Sequence, residues 1–216
     1  MAPIHILNPN SLASVSEAIA VSVAPLARAG EVEVHTSQDG PPGIQSHAEF
    51  EACQPPLLRL ARELEAEALV VACFSDPGVE ELKRVLPVPV IGIQDASVRE
   101  AIALKKRFGI VAVVEASVER HRLALARRGQ DALWVGSRAL NLDVRTIAEE
   151  EHAQARILEV GHALKHRDGA EVLILGCAGM SQHAAALEDA VGLPVIEPCQ
   201  AGLRAARQAI SAQVAT

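Results

Sequence analysis

Two of the four cysteines, Cys73 and Cys177, each close an apolar run and stand just ahead of small or turn-forming residues. The segments are Glu67-Ala-Leu-Val-Val-Ala-Cys73-Phe-Ser-Asp-Pro-Gly78 and Glu171-Val-Leu-Ile-Leu-Gly-Cys177-Ala-Gly-Met180. A lone reduced cysteine mostly fills space. A matched pair suits a reaction that needs one thiol on each side of a substrate. A free thiol, with a pKa of ~8.5, is already a usable base near neutrality. A helix beginning directly after each cysteine is expected to lower that value and favour the thiolate. The same helix start would offer backbone amides to an anion or a developing enolate oxygen.

The residues around the thiols have competing readings. Ser75 or Asp76 can cap the helix after Cys73, with Pro77 in its first turn, and Asp76 reads as a cap rather than a third acid. Ala178 and Gly179 let backbone amides approach a ligand, and Ser181 can cap. Phe74 fits a pocket wall or the core about equally. Asn10 and Ser11 fit two roles equally, a hydrogen bond to a substrate carbonyl or carboxylate and a helix cap. His183 could touch the pocket mouth, but a capping or surface role fits it better. Cys53, before Pro55-Pro56, and Cys199, at the start of the last helix, read as structural.

No metal site is expected. The cysteines, at 53, 73, 177 and 199, form no Cys-x-x-Cys pair. His162-x-x-x-His166 puts two imidazoles on one helix face without an accompanying Glu, and Glu149-Glu-Glu-His152 reads as a polar helix face. No Gly-x-Gly-x-x-Gly or phosphate-loop motif supports nucleotide binding.

Positioning the two thiols requires a regular framework, and the chain alternates short β-branched runs with longer helical segments, the pattern of a parallel α/β fold. Strands are predicted at Ile4–Leu7, Val32–His35, Ala68–Ala72, Val90–Ile93, Gly109–Val114, Ala132–Val135, Val172–Leu175 and Val195–Ile196. Helices are predicted at 14–28, 48–65, 77–85, 95–106, 117–129, 146–166, 182–191 and 199–212. The list repeats itself. The cysteines are 177 − 73 = 104 residues apart, and a shift of about that size superposes the other landmarks. It brings Ile4–Leu7 to Gly109–Val114, Val32–His35 to Ala132–Val135, and Leu-Pro-Val-Pro89-Val-Ile-Gly92 to Val-Gly-Leu-Pro194-Val-Ile-Glu197. An internal duplication accounts for coincident cysteines and Pro-Val-Ile pieces, which mere alternation does not.

The expectation is therefore two similar open parallel-sheet domains, residues 1–97 and 98–198, related by pseudo-two-fold symmetry. The active site is expected in the cleft between them, because ligands of such sheets bind beyond the carboxyl ends of the strands. One option for the last helix, 199–213, is to pack back onto the first half.

Composition narrows the function. The 216 residues are 50 % hydrophobic but only 2 % aromatic, with a formal net charge of −7. This excludes base-stacking platforms and phosphate-backbone binding, since Lys105-Lys106-Arg107 and Arg127-Arg128 are short and isolated. Met1-Ala-Pro-Ile-His-Ile-Leu-Asn8 has no charged leader, and no run reaches transmembrane length. The expected setting is the cytoplasm, with reduced cysteines. The expected partner is a small molecule, not nucleic acid or membrane.

Ile6-Leu-Asn-Pro-Asn-Ser11, Ala72-Cys-Phe-Ser-Asp-Pro-Gly78, and Leu175-Gly-Cys-Ala-Gly-Met180 followed by Pro194-Val-Ile196 resemble the signatures of the hydantoin racemase branch of the aspartate/glutamate racemase superfamily. The similarity runs in order over nearly the whole chain. It implies a cofactor-independent racemase or epimerase acting at a carbon α to a carbonyl, with Cys73 and Cys177 exchanging acid and base roles. A hydantoin or amino-acid derivative is the implied substrate, and a homo-oligomer the implied assembly. Two departures stand out: Ala112-Val113-Val114-Glu115 supplies no hydroxyl before Ser117 where the family often carries a Thr pair, and Ser75 stands where Gly is common. Alternatives on the same fold are a decarboxylase, which usually keeps only the second cysteine, a maleate-type isomerase, and an inactive small-molecule binding protein.

Overall fold

The structure, a computed structural model, describes residues 2–142, 146–147 and 150–214, and the side chains of all of these except 150–152 and 214. The Glu149–His152 polar face lies outside this description. The chain divides into two units: one runs to Ala96 and resumes at Cys199, and the other is Ser97–Pro198.

The first unit holds a parallel sheet of β1 (Ile4–Asn8), β2 (Val32–Thr36), β3 (Ala68–Val71) and β4 (Val90–Gly92), in the order β2-β1-β3-β4. Its helices are α1 (Ala13–Val23), α2 (His47–Ala52), α3 (Gln54–Arg62), α4 (Val79–Val85) and, at the junction of the units, α5 (Ile93–Ala103). Side chains alternate across the sheet. Leu7, Leu69, Val71 and Val90 join Leu57 and Ala61 of α3 and Val79 and Leu82 of α4 in one core. Cutting Leu57 or Leu82 to alanine there costs about 2–5 kcal/mol.

The second unit repeats the plan. Its sheet is β6-β5-β7-β8, with β5 (Phe108–Ala112), β6 (Trp134–Ala139), β7 (Val172–Leu175) and β8 (Val195–Ile196). Its helices are α6 (Glu115–Arg128), α7 (Glu150–His166) and α8 (Ala184–Val191), with a 3-10 helix at Ala178–His183 before α8. The registers show how close the repeat is. Ile4 pairs with Ala68 and Phe108 pairs with Val172. Both partners are offset by the same amount, 108 − 4 = 104 and 172 − 68 = 104.

The last helix, α9 (Pro198–Val214), belongs to the first unit. Gln200 Nε2 donates to Ser22 O at 2.9 Å, and Arg207 holds the Glu31 carboxylate at 2.7 and 2.8 Å. The Arg207 hydrogen bond lowers the Glu31 carboxyl to about 2. Gly202 lies so close to the sheet that an added Cβ would meet Val70 Cγ1 at 2.8 Å.

All eight predicted strands are present, but several boundaries move for local reasons. The first helix stops at Val23 because Pro25 has no N–H to continue the ladder after the Ala24 amide bonds Ala20 O. The segment predicted as one helix, 48–65, is two, since Pro55 and Pro56 occupy the first turn of α3 and cannot donate to a preceding helix. β6 begins at Trp134 rather than Ala132, because Asp131–Trp134 is a turn closed by the Trp134 amide on Asp131 O. The start of the predicted 146–166 helix includes residues outside the description, and α7 runs from Glu150.

Candidate active site

In the first unit, the turn after β1 and the turn after β3 are neighbours at the carboxyl end of the sheet, since Leu7 pairs with Val71 and the Ala72 amide donates to Leu7 O at 2.8 Å. Asn10 and Ser11 lie on one turn and Cys73, Phe74 and Ser75 on the other. Buried Asn8 organises the first turn: its Nδ2 donates to Asn10 Oδ1 at 3.0 Å and to Ser16 Oγ at 3.0 Å. Asn10 Oδ1 also accepts from the Leu12 amide, a turn bond rather than a helix cap, because the N-cap position of α1 is Leu12. That leaves Asn10 Nδ2 and the Ser11 hydroxyl without a protein partner among the described residues. Ser75 is half-buried and its hydroxyl is likewise available; Phe74 is buried.

Asp76 is a cap, but not of the helix that follows it. The N-cap of α4 is Gly78, in the left-handed conformation, and Pro77 lies outside that helix. The buried Asp76 carboxylate instead accepts from the Gln94 amide at 2.8 Å and the Asp95 amide at 3.0 Å, at the start of α5. It rests directly on Gly92, where any Cβ would overlap the carboxyl group.

In the second unit, Cys177 follows β7 as Cys73 follows β3, each two residues beyond the strand. Gly176 permits this: a Cβ there would lie 2.5 Å from Val111 O and 3.1 Å from Ile110 Cγ2. Cys177 is half-buried and heads the 3-10 helix that contains buried Ala178 and Gly179. Burial pushes its thiol above the ordinary range, while the hydrogen bond from the Gly179 amide draws it partly back. The expected helix-induced lowering is therefore outweighed here, since a six-residue 3-10 turn aims one amide at the sulfur and desolvation acts on the whole thiolate. Ser181 is not the N-cap of α8, a position His183 holds. Its Oγ lies 2.7 Å from both Ala178 O and Glu197 Oε1, and both side chains are buried. His183 is buried rather than at the surface, with Nε2 3.4 Å from Ile147 O.

At the positions where the family often carries a Thr pair, Ala112 and Val113 are buried, and the Ser117 hydroxyl accepts from Arg120 at 2.9 Å. Cys53 and Cys199 are buried, with burial raising the Cys53 thiol to about 12. His162 and His166 are exposed and stack at 5.9 Å.

Sequence reasoning missed three groups. Glu197 was visible only as a polar residue where the first half has Gly92. His121 is buried beside Gly176, the residue before Cys177: its Cε1 is 3.3 Å from the position a Gly176 Cβ would take, and burial drives its pKa down to about 3, so it stays neutral. Third, His5, Glu33 and His35 converge, although nothing in their spacing resembles a ligand motif.

Known proteins share the sequence pattern and the fold of this chain. The sequence profile of the family described as Asp/Glu/Hydantoin racemase matches residues 4–206. The chain is similar to the hydantoin racemase of Rhizobium meliloti, with 34 % identity covering 99 % of this chain and 90 % of that one. Similarity to the hydantoin racemase of Paenarthrobacter aurescens is 31 %, covering 96 % and 91 %. Among solved structures, the allantoin racemase from Klebsiella pneumoniae superposes with a TM-score of 0.90 at 26 % identity, covering 99 % of this chain and 89 % of that one. No helix among the described residues is long and apolar enough to cross a membrane.

Proposed function

The chain belongs to the Asp/Glu/Hydantoin racemase family and is an isomerase, and from that premise we propose that Cys73 and Cys177 racemise a C5-substituted hydantoin without a cofactor. One thiolate takes the proton from C5, and the electron pair moves into the adjacent ring carbonyl as an enolate. The other thiol returns a proton to C5 from the opposite face and becomes the thiolate, so acid and base are exchanged for the reverse reaction. The ring carbonyl and acylated nitrogen make this carbon more acidic than that of a free amino acid. Allantoin is itself a hydantoin substituted at C5, so the chemistry fits both kinds of relative.

The observation that carries the reading is the equivalence of the two cysteines, each on the first turn beyond the third strand of an identically ordered sheet, in registers offset by 104 residues. In this scheme Cys177, whose thiol burial keeps protonated, is the resting acid and Cys73 the resting base. Asn10 Nδ2, the Ser11 and Ser75 hydroxyls and the amides of Ala178 and Gly179 are the donors for the substrate's carbonyl groups, and Phe74 backs the pocket. The reaction runs in the cytoplasm, where thiols remain reduced, in a homo-oligomer.

The test is racemisation of single-enantiomer 5-substituted hydantoins and allantoin in deuterated water. Wild type should incorporate deuterium at C5 as rotation decays, and Cys73→Ser and Cys177→Ser should each lose at least about a hundredfold in racemisation. Normal racemisation in both variants would sink the two-thiol mechanism, and carbon dioxide release from a substituted malonate without exchange would replace it with decarboxylation.

A further inference from the structure

We propose that His5, Glu33 and His35 form a binding site for a divalent first-row transition cation, with zinc the ion whose size the geometry fits. His5 and Glu33 are partners across β1 and β2, and His35 follows two residues on, so all three side chains share one face of the sheet. That face also carries Leu7 and the apolar cover of α3 and α4. Beside this cover, at the edge strand β2, the three polar groups meet.

The triangle of donor atoms is the central observation. His35 Nε2 is hydrogen-bonded to His5 Nδ1 at 2.8 Å, through a proton the ion would displace, and Glu33 Oε2 lies 3.6 Å from His5 Nδ1 and 3.7 Å from His35 Nε2. Sides of that length define a circle of radius about 2.0 Å, so one point stands about 2.0 Å from all three atoms, the Zn–N and Zn–O bond length. His5 is also set for the role by its outer contact. Its Nε2 lies 3.1 Å from the Glu65 carbonyl, an acceptor only, so the ring proton sits on Nε2 and the Nδ1 lone pair faces the other two groups. A ligating imidazole held by a backbone carbonyl through its second nitrogen is the usual outer support of a metal site. Two imidazoles and one carboxylate suit zinc and its first-row neighbours rather than magnesium or calcium.

The site is separate from the reacting thiol of this unit. Glu65 precedes β3 and Cys73 follows it, so cluster and thiol belong to opposite ends of that strand. A cation here would tie edge strand β2 to β1 and act on stability rather than on proton transfer.

The experiment is calorimetric titration of metal-free protein with zinc chloride. It uses the full chain carrying Cys73→Ser and Cys177→Ser, so that the site thiols cannot capture the ion. One equivalent should bind, and at a hundredfold excess over Kd the unfolding midpoint should rise by about 5–10 °C. Glu33→Gln and His35→Gln, whose side chains are 57 % and 25 % exposed, should keep the parent circular dichroism. Each should weaken zinc at least about tenfold. Cobalt in the same double variant should give weak ligand-field bands without sulfur charge transfer. Absence of stoichiometric binding in the parent, or an unchanged Kd in either folded variant, would overturn the proposal.

Discussion

The turn after β3 and the turn after β7 each deliver a cysteine two residues beyond a buried strand, yet they are fastened by opposite means. In the first, the acid is on the cysteine turn: Asp76 reaches across to the end of β4, seats on Gly92 and caps α5. In the second, the equivalent turn position is Met180, and the acid comes from the far strand instead. Glu197 stands two residues beyond Val195, as Gly92 stands two beyond Val90, and it reaches back to Ser181. Either way a buried carboxylate joins the cysteine turn to the next strand end. The duplication preserved that tie and moved the residue that makes it. In the second turn desolvation raises the Cys177 thiol and the Gly179 amide partly offsets it.

Swapping features between the turns tests this comparison. Gly92→Ala should be the most damaging change, costing about 3 kcal/mol in denaturant unfolding, because the Asp76 carboxylate must leave its two amides. In an Asp76→Ala background the same change should be nearly neutral. Equal cost in both backgrounds would break the assigned contact.

Gly176→Ala comes next, at about 2 kcal/mol, from overlap with Val111 O. The matching position in the first unit, Ala72, already carries a Cβ, so only one half of the repeat demands glycine here.

A third measurement follows alkylation of Cys177 with iodoacetamide against pH in the Cys73→Ser variant. With the thiol's pKa raised by burial, the rate should still be climbing above the pH near ~8.5 at which a free thiol is half ionised. A plateau at or below that pH would show that the Gly179 amide outweighs burial.

The smallest effect is expected for Glu197→Gln, under about 1 kcal/mol. One Ser181 proton cannot serve Ala178 O and Glu197 Oε1 together, whereas a glutamine amide can donate to Ser181 Oγ while Ser181 donates to Ala178 O. Glu197→Ala should cost more than Glu197→Gln, and the reverse order would show that the tie is not a hydrogen bond.

The parts of this molecule that were legible in the sequence are those encoded by neighbours along the chain. Apolar runs such as Ala-Leu-Val-Val and Val-Leu-Ile-Leu mark buried strands, and the residues just after them mark the turns where a side chain can face a ligand. Asp76 shows the limit. Its acidity and place before Pro77 suggested a local cap, but a left-handed Gly78 took that role and the carboxylate found amides 18 and 19 residues away. His121 and the His5, Glu33 and His35 cluster were invisible for the same reason, because they meet only through parallel pairing or helix docking across tens of residues.

By itself, the sequence determined a duplicated α/β framework with one thiol at the end of the third strand in each half, since strand length, alternation and turn chemistry act over a few residues. Only the tertiary structure decided which carboxylate locks each turn, that burial raises Cys177, that α9 returns to the first sheet, and that two histidines and a glutamate converge. Those outcomes depend on desolvation and on contacts through space, which no local run of residues specifies.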